Sequence, residues 1–293
     1  MISKLDLYKI FRQVGKSKSF SKAAEELYMT QPAISQSIMQ LERELDTRLF
    51  NRTPKGVSLT NEGKHLFEYV DSAIGLIEAG EEKILEFHNL SVGELKIGVC
   101  DTISKYYLMP YLEKFHNMYP NIKFKIINST TLELCTLIKG GEIDIAICNF
   151  PIDDPSLELR PCVEVQDIFV CGEKYKYLLN DNMSLDDVAN LPLIFLEQTS
   201  NSRKYVENFM ISKGIKISPE FELGSYDLLL EFAKINLGIA CVVKEFAKEY
   251  LNKGLIYEVK TVEEIPKRNI GVCYLKRVPL SLASTKFVEI IEG

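Results

Sequence analysis

Apolar residues near the start of the chain recur at helical spacing in three short stretches. Leu7, Ile10, Phe11 and Val14 predict a first helix, which Gly15 and the polar run Lys16–Ser19 bring to an end. Ser21 is placed to cap a second helix, whose small apolar face is Ala23, Ala24 and Leu27. Tyr28–Met29 make a turn, and Thr30 is placed to cap a third helix that tolerates Pro32 in its first turn. In that helix Ile34, Ile38, Leu41 and Leu45 form the apolar stripe. The opposite face carries Pro32, Ser35, Gln36, Met39, Gln40 and Arg43, and no acidic side chain appears before Glu42. After it, Leu49–Phe50 and the alternating Val57-Ser58-Leu59 flank Arg52, Lys55 and Gly56, which reads as a β-wing with a basic tip.

A long helical stretch from about Thr60 to His88 follows. Leu66, Val70, Ala73, Ile77, Gly80 and Ile84 alternate spacings of four and three, the seam of a coiled coil, and a partner subunit is the expected cover. From ELKIGVC onward strands alternate with helices, which predicts a mainly parallel α/β sheet. The later strands DIFVCG, LPLIFLE, GIACVV and NIGVCYLK suggest a second lobe, reached near residues 162–166 and left near 260–268. The expected organisation is a winged helix-turn-helix over 1–59, a linker or dimerisation helix over 60–90, and a ligand-binding domain over 91–293. Within that domain, lobe I covers about 91–162 and 265–293 and lobe II about 166–260.

Chemistry narrows the picture. A neutral face of glutamine and serine can read base edges without repelling phosphates, so Thr30, Gln31, Pro32, Ser35 and Gln36 are candidate DNA contacts. Arg52 and Lys55 on the wing are candidates for phosphate or the minor groove. Charge agrees: residues 1–64 hold 11 Lys and Arg against 7 Asp and Glu, whereas residues 65–293 hold 24 against 34. The seven cysteines are scattered and only three histidines occur, so neither a disulfide framework nor a metal site is expected. No apolar run approaches membrane-spanning length, no secretory signal pattern opens the chain, and a cytoplasmic setting is expected. No nucleophile-elbow, P-loop or HExxH pattern occurs, so no catalytic residue is assigned. An enzyme or a solute-binding protein on the same two-lobed fold stays open as an alternative.

The stretch SFSKAAEELYMTQPAISQSIMQLERELDTRLFNRTPKGVSLTNEG resembles the signature region of LysR-type transcriptional regulators. The resemblance rests on Ala23–Ala24, the run Gln31 to Ser35, Leu41–Glu42, Leu49 to Arg52 and Leu59 to Gly63, with GEIDIAI and LGIACV similar to phrases further along. It implies a periplasmic-binding-protein-like effector domain, a homodimer through the linker helix, pairing into a tetramer, double-stranded DNA as a partner, and a small-molecule effector. Where many members carry Arg after the helix-3 serine, this chain has Gln36, and amides favour adenine. Hydroxyl and amide groups at helix starts make Thr102, Ser104, Asn149, Ser200 and Ser202 the candidate effector site, suited to an anionic or zwitterionic ligand of unknown identity. Arg203 is expected at the surface. No cofactor is implied.

Overall fold

The computed structural model describes residues 4–53, 56–86 and 93–293. The chain divides into two compact units at Leu85/Glu86, apart from Lys139–Glu142, which group with the first.

In the first unit, α1 (Lys4–Ser17), α2 (Phe20–Glu26) and α3 (Gln31–Glu44) meet through Leu7, Phe11, Ala23, Ile34, Ile38 and Leu41, all buried. Ser19 caps α2 by accepting from the Lys22 amide at 3.3 Å, so Ser21, expected at the cap, lies inside the helix. Thr30 caps α3 by accepting from the Ala33 amide. The wing is an antiparallel hairpin, β1 (Phe50–Thr53) and β2 (Gly56–Leu59), with Phe50 opposite Leu59. Glu42 fastens the wing to α3, its carboxylate accepting from the Leu49 and Phe50 amides at 2.8 and 3.2 Å. Thr60 opens α4 (Asn61–Glu86), its hydroxyl donating to Arg48 and accepting from the Gly63 amide. A Cβ at Gly63 would sit 2.1 Å from the Leu49 carbonyl, so the backbone approach there requires glycine.

The start of α4 belongs to this unit's own core. Val70 and Ile74 are buried there, with Leu66 and Phe67 packed against the cluster. Arg12 binds Asp71 at 2.6 Å and Glu78 at 2.8 Å, and Lys16 binds Asp71 at 2.8 Å. The expectation that Leu66 and Val70 wait for a partner subunit is therefore corrected. The seam's spacing satisfies two neighbours in turn, α1 first and open solvent later. Ala73, Ile77 and Gly80 are exposed, together with Tyr69, and the side chain of Ile84 lies outside the described residues.

The second unit carries two five-stranded sheets. The first begins with β3 (Gly93–Val99), then α5 (Asp101–Ile103), a π-helical turn at Ser104–Leu108 and α6 (Met109–Met118). It continues with β4 (Ile122–Asn128), α7 (Thr131–Lys139), β5 (Ile145–Asn149) and β6 (Leu157–Val165). The chain crosses at Gln166 into the second sheet. That lobe holds β7 (Asp167–Cys171), α8 (Leu185–Ala189), β8 (Leu193–Leu196), α9 (Asn201–Ser212) and β9 (Phe221–Leu223). It ends with α10 (Tyr226–Lys234), β10 (Ile239–Val243), α11 (Lys244–Asn252) and β11 (Tyr257–Val259). The return enters the first sheet as β12 (Arg268–Leu275), and α12 (Leu282–Glu292) closes the chain.

The sheet orders are β4-β3-β5-β12-β6 and β11-β7-β10-β8-β9. The sheets are mixed, and this corrects the mainly parallel expectation. β12 runs antiparallel to β5 and β6, and β7 runs antiparallel to β10 and β11. The reason is connectivity: the strand entered just after each crossing, β7 in one sheet and β12 in the other, runs opposite to the strands it joins. β6 went unforeseen because Pro161 interrupts its pattern; it is an edge strand, where proline is tolerated.

Candidate functional site

Two surfaces matter, one in each unit. On α3, burial of Ile34, Ile38 and Leu41 turns Gln31, Pro32, Gln36, Met39 and Arg43 outward, while Ser35 is half-buried. Thr30 is exposed at the cap, and the Gln31 amide oxygen accepts from Ser21 at 3.3 Å, which orients it beside α2. Ser37, the one polar residue on the buried face, donates back to the Ala33 carbonyl and so is satisfied within the helix. The result is a convex, uncharged strip with hydrogen-bonding side chains at the start of α3. Lys55 lies outside the described residues, as does the side chain of Arg52.

In the second unit a cavity of about 410 Å³ opens between the two lobes. Thr102 reaches it from α5, Asn149 from the end of β5, and Ser200 and Ser202 from the start of α9. Ser104 does not line it. The π-helical turn carries that hydroxyl inward, where it is buried and without a hydrogen-bond partner. Arg203 is also misplaced by the sequence reading: it is buried, donates to the Leu196 carbonyl at 2.9 Å and pairs with Glu222 at 3.0 Å, fastening α9 to its sheet.

Beneath the cavity lies a buried ion pair that the sequence reading missed. Arg268 Nε and Nη2 donate to the Asp167 carboxylate at 2.6 and 3.1 Å. Nη2 also donates to Ser202 at 3.0 Å, and Nη1 donates to Asn149. One guanidinium at the first residue of β12 thus ties both lobes together at the cavity floor. Burial works against its charge, but the Asp167 carboxylate outweighs burial and holds the guanidinium above its ordinary range. Neither residue carried a sequence signal: a single Arg before a strand and a single Asp after a Gln are ordinary in any α/β protein. A readable signal was overlooked at Asn128-Ser129-Thr130-Thr131, a hydroxyl-rich strand-to-helix loop that lines the same cavity.

The lining is polar and carries a negative charge. Asp101, Glu133, Asp167 and Glu197 line the cavity, and among the described residues no Lys or Arg does. Asp167 is neutralised by Arg268. Glu133 is committed to α7, accepting from the Ser129 hydroxyl and from the Thr130 amide and hydroxyl. Asp101 and Glu197 are exposed at the rim. An aromatic wall, Tyr226 and Phe246, closes one side. Tyr106 of lobe I stacks on Phe246 at 5.3 Å between ring centroids, and its hydroxyl donates to Asp227, which also pairs with Lys105 at 2.7 Å.

Comparison with known proteins gives two family-model matches. Residues 5–64 match the bacterial regulatory helix-turn-helix protein, lysR family, and residues 88–293 match the LysR substrate binding domain. The chain is 27% identical over 252 residues to the HTH-type transcriptional regulator CysL of Bacillus subtilis, covering 86% of this chain and 83% of that one. It is 28% identical over 294 residues to a probable RuBisCO transcriptional regulator of Chlorokybus atmophyticus, covering 97% and 92%. Among solved structures it is similar to a full-length OxyR variant from Pseudomonas aeruginosa, with TM-score 0.69, 18% identity, and coverage of 100% and 94%. It also matches full-length CbnR in complex with its target DNA, with TM-score 0.64, 18% identity and 99% coverage of each chain.

Proposed function

The chain belongs to the LysR family of transcriptional regulators, and from that premise we propose how its two surfaces divide the work. As a DNA-binding regulator, it reads sequence with the outward face of α3. Gln31 and Gln36 address base edges, Ser35 and Pro32 fit the groove, Thr30 lies at its wall, and Arg52 and Lys55 of the wing meet the phosphate backbone. The observation that carries this assignment is the exposed, carboxylate-free strip of α3 beside a hairpin wing. Selection of duplexes from a randomised pool by the wild-type protein supplies the operator. Gln31→Ala and Gln36→Ala should each weaken binding to it by about 1–3 kcal/mol, since each removes a base contact. Equal affinity of wild type and both variants would overturn the assignment.

The effector is a small molecule held between the lobes by Thr102, Asn149, Ser200 and Ser202. Of the anionic and zwitterionic classes the sequence allows, a zwitterion fits better. Its carboxylate faces hydroxyls and amides, and its ammonium faces Asp101 or Glu197; a polyanion would meet two unneutralised rim carboxylates with no Lys or Arg among the described lining residues opposite. Nothing in this reading calls for catalysis or a cofactor. The regulator works in the cytoplasm as a homodimer through Tyr69, Ala73 and Ile77 of α4, and pairs of dimers form the tetramer. A panel of amino acids against dicarboxylates and sugar phosphates, read by thermal shift, tests the class: a bound effector raises the melting temperature. Stabilisation by polyanions alone would overturn the zwitterion.

A further inference from the structure

Tyr28 sits in the turn between α2 and α3, and the fold makes no use of its side chain. It is 99% exposed, the most solvent-accessible large apolar side chain among the described residues. The turn itself closes through the backbone: the Tyr28 amide donates to Glu25 and the Met29 amide donates to Ala24. That closure puts Tyr28 at φ +53°, in the left-handed region. A bulky L-residue there is strained, whereas glycine or asparagine is not. Elsewhere the chain meets the same demand with the tolerant types at Asp46, Asn236, Gly214 and Gly254, and with one other long side chain, Lys18 in the turn between α1 and α2. A turn that keeps a strained, unpacked tyrosine where Asn would be cheaper invites a functional reading.

The position supplies that reading. Tyr28 lies two residues before the cap Thr30 and three before Gln31, whose side chain is held by Ser21 of α2. In a helix-turn-helix the start of the second helix enters the major groove, so a side chain projecting from the turn just before it meets the sugar-phosphate wall and not a base. Tyrosine is suited to a wall: its ring packs on a deoxyribose and its hydroxyl donates to a phosphate, carrying no sequence information.

We propose that Tyr28 is a DNA-backbone contact that positions α3 in the groove, retained against the conformational preference of its own turn. The inference rests on DNA binding by the α3 face, which the wild-type titration checks independently in the same experiment. Wild type, Tyr28→Asn and Tyr28→Phe are titrated against a duplex selected by the wild-type protein and against a scrambled duplex of the same composition, with melting temperatures measured in parallel. Tyr28→Asn should melt about 2–4 °C higher because it relieves the left-handed strain. It should also bind both duplexes about 5- to 30-fold more weakly, by the same factor for each, as expected of a backbone contact. Tyr28→Phe keeps the strain and the ring, so it should melt like wild type and lose only the hydroxyl's part of the affinity. Unchanged affinity of Tyr28→Asn for both duplexes would overturn the proposal, and so would a loss confined to the selected duplex, which marks a base reader.

Discussion

At the scale of single residues, the ion pairs decide what each unit can tolerate. Asp71 lies between Arg12 and Lys16, where α1 meets α4. Burial by itself would raise its pKa, but hydrogen bonds from Lys16 and Arg12 outweigh that and hold the carboxyl below its ordinary range. A depressed folded pKa adds stability above the unfolded value, and that stability is lost as pH falls through the folded one. Asp71→Asn should therefore cost about 1–2 kcal/mol near neutrality. The deficit should fade as pH falls through and below the ordinary carboxylate range, as read by melting both proteins on the acid side. A deficit that persists in acid would show the loss is not electrostatic. Arg268 and Asp167 are harsher. Asp167→Asn leaves a buried guanidinium without its counter-charge and should cost about 3–5 kcal/mol in denaturant melts, whereas Arg268→Met with Asp167→Leu should recover much of it. A single variant as stable as wild type would remove the pair from the account of the cavity floor.

At the scale of elements, α4 shows what a hydrophobic repeat can and cannot say. Its four-three spacing was legible, and so was a helix through Asn61–Glu86; the expected end near His88 lies outside the described residues. Which neighbour covers each turn was not, because burial on α1 and burial on another subunit demand the same residue types. Val70 is buried beneath α1's side of the unit while Ile77 is 41% exposed. Val70→Asp should thus unfold the N-terminal unit by placing an unpaired charge in its core. Ile77→Asp should leave that unit folded and shift light scattering toward monomer. An unchanged oligomer with Ile77→Asp would move the dimer contact away from this stripe. The turns divided along similar lines. Thr30 announced its cap, whereas the cap expected at Ser21 falls to Ser19, and Phe20, the first residue of α2, packs against Phe50. Glu42, Thr60 and Gly63, conspicuous as signature residues, act within the fold: they fasten α3, wing and α4 to one another.

At the scale of the molecule, the two lobes were readable from alternating strands and helices, and so was the idea of a site where strand ends and helix starts converge. Thr102, Asn149, Ser200 and Ser202 follow that rule and line the cavity. Ser104 follows the rule too and fails, because a π-helical turn rotates it inward, and one extra residue in a helical turn leaves no mark in sequence. Arg268 and Asp167 were unreadable for a different reason: they are 101 residues apart and meet only because both crossings between the lobes pass the same point. The lobes touch through this pair and through Tyr106 on Phe246, so a ligand that prefers one separation of the lobes shifts their population toward it, by no more than its difference in affinity between the two. By linkage, any change that ligand makes in DNA affinity must be matched by the effect of DNA on ligand affinity. The most direct measurement of that claim is the affinity of the full chain for its selected duplex, titrated with a ligand found by thermal shift, in wild type and in Thr102→Ala with Ser202→Ala. The expected result is a ligand-dependent change in duplex affinity for wild type, and none for the double variant, whose ligand-free affinity stays at the wild-type value. A ligand response of equal size in both proteins would contradict it.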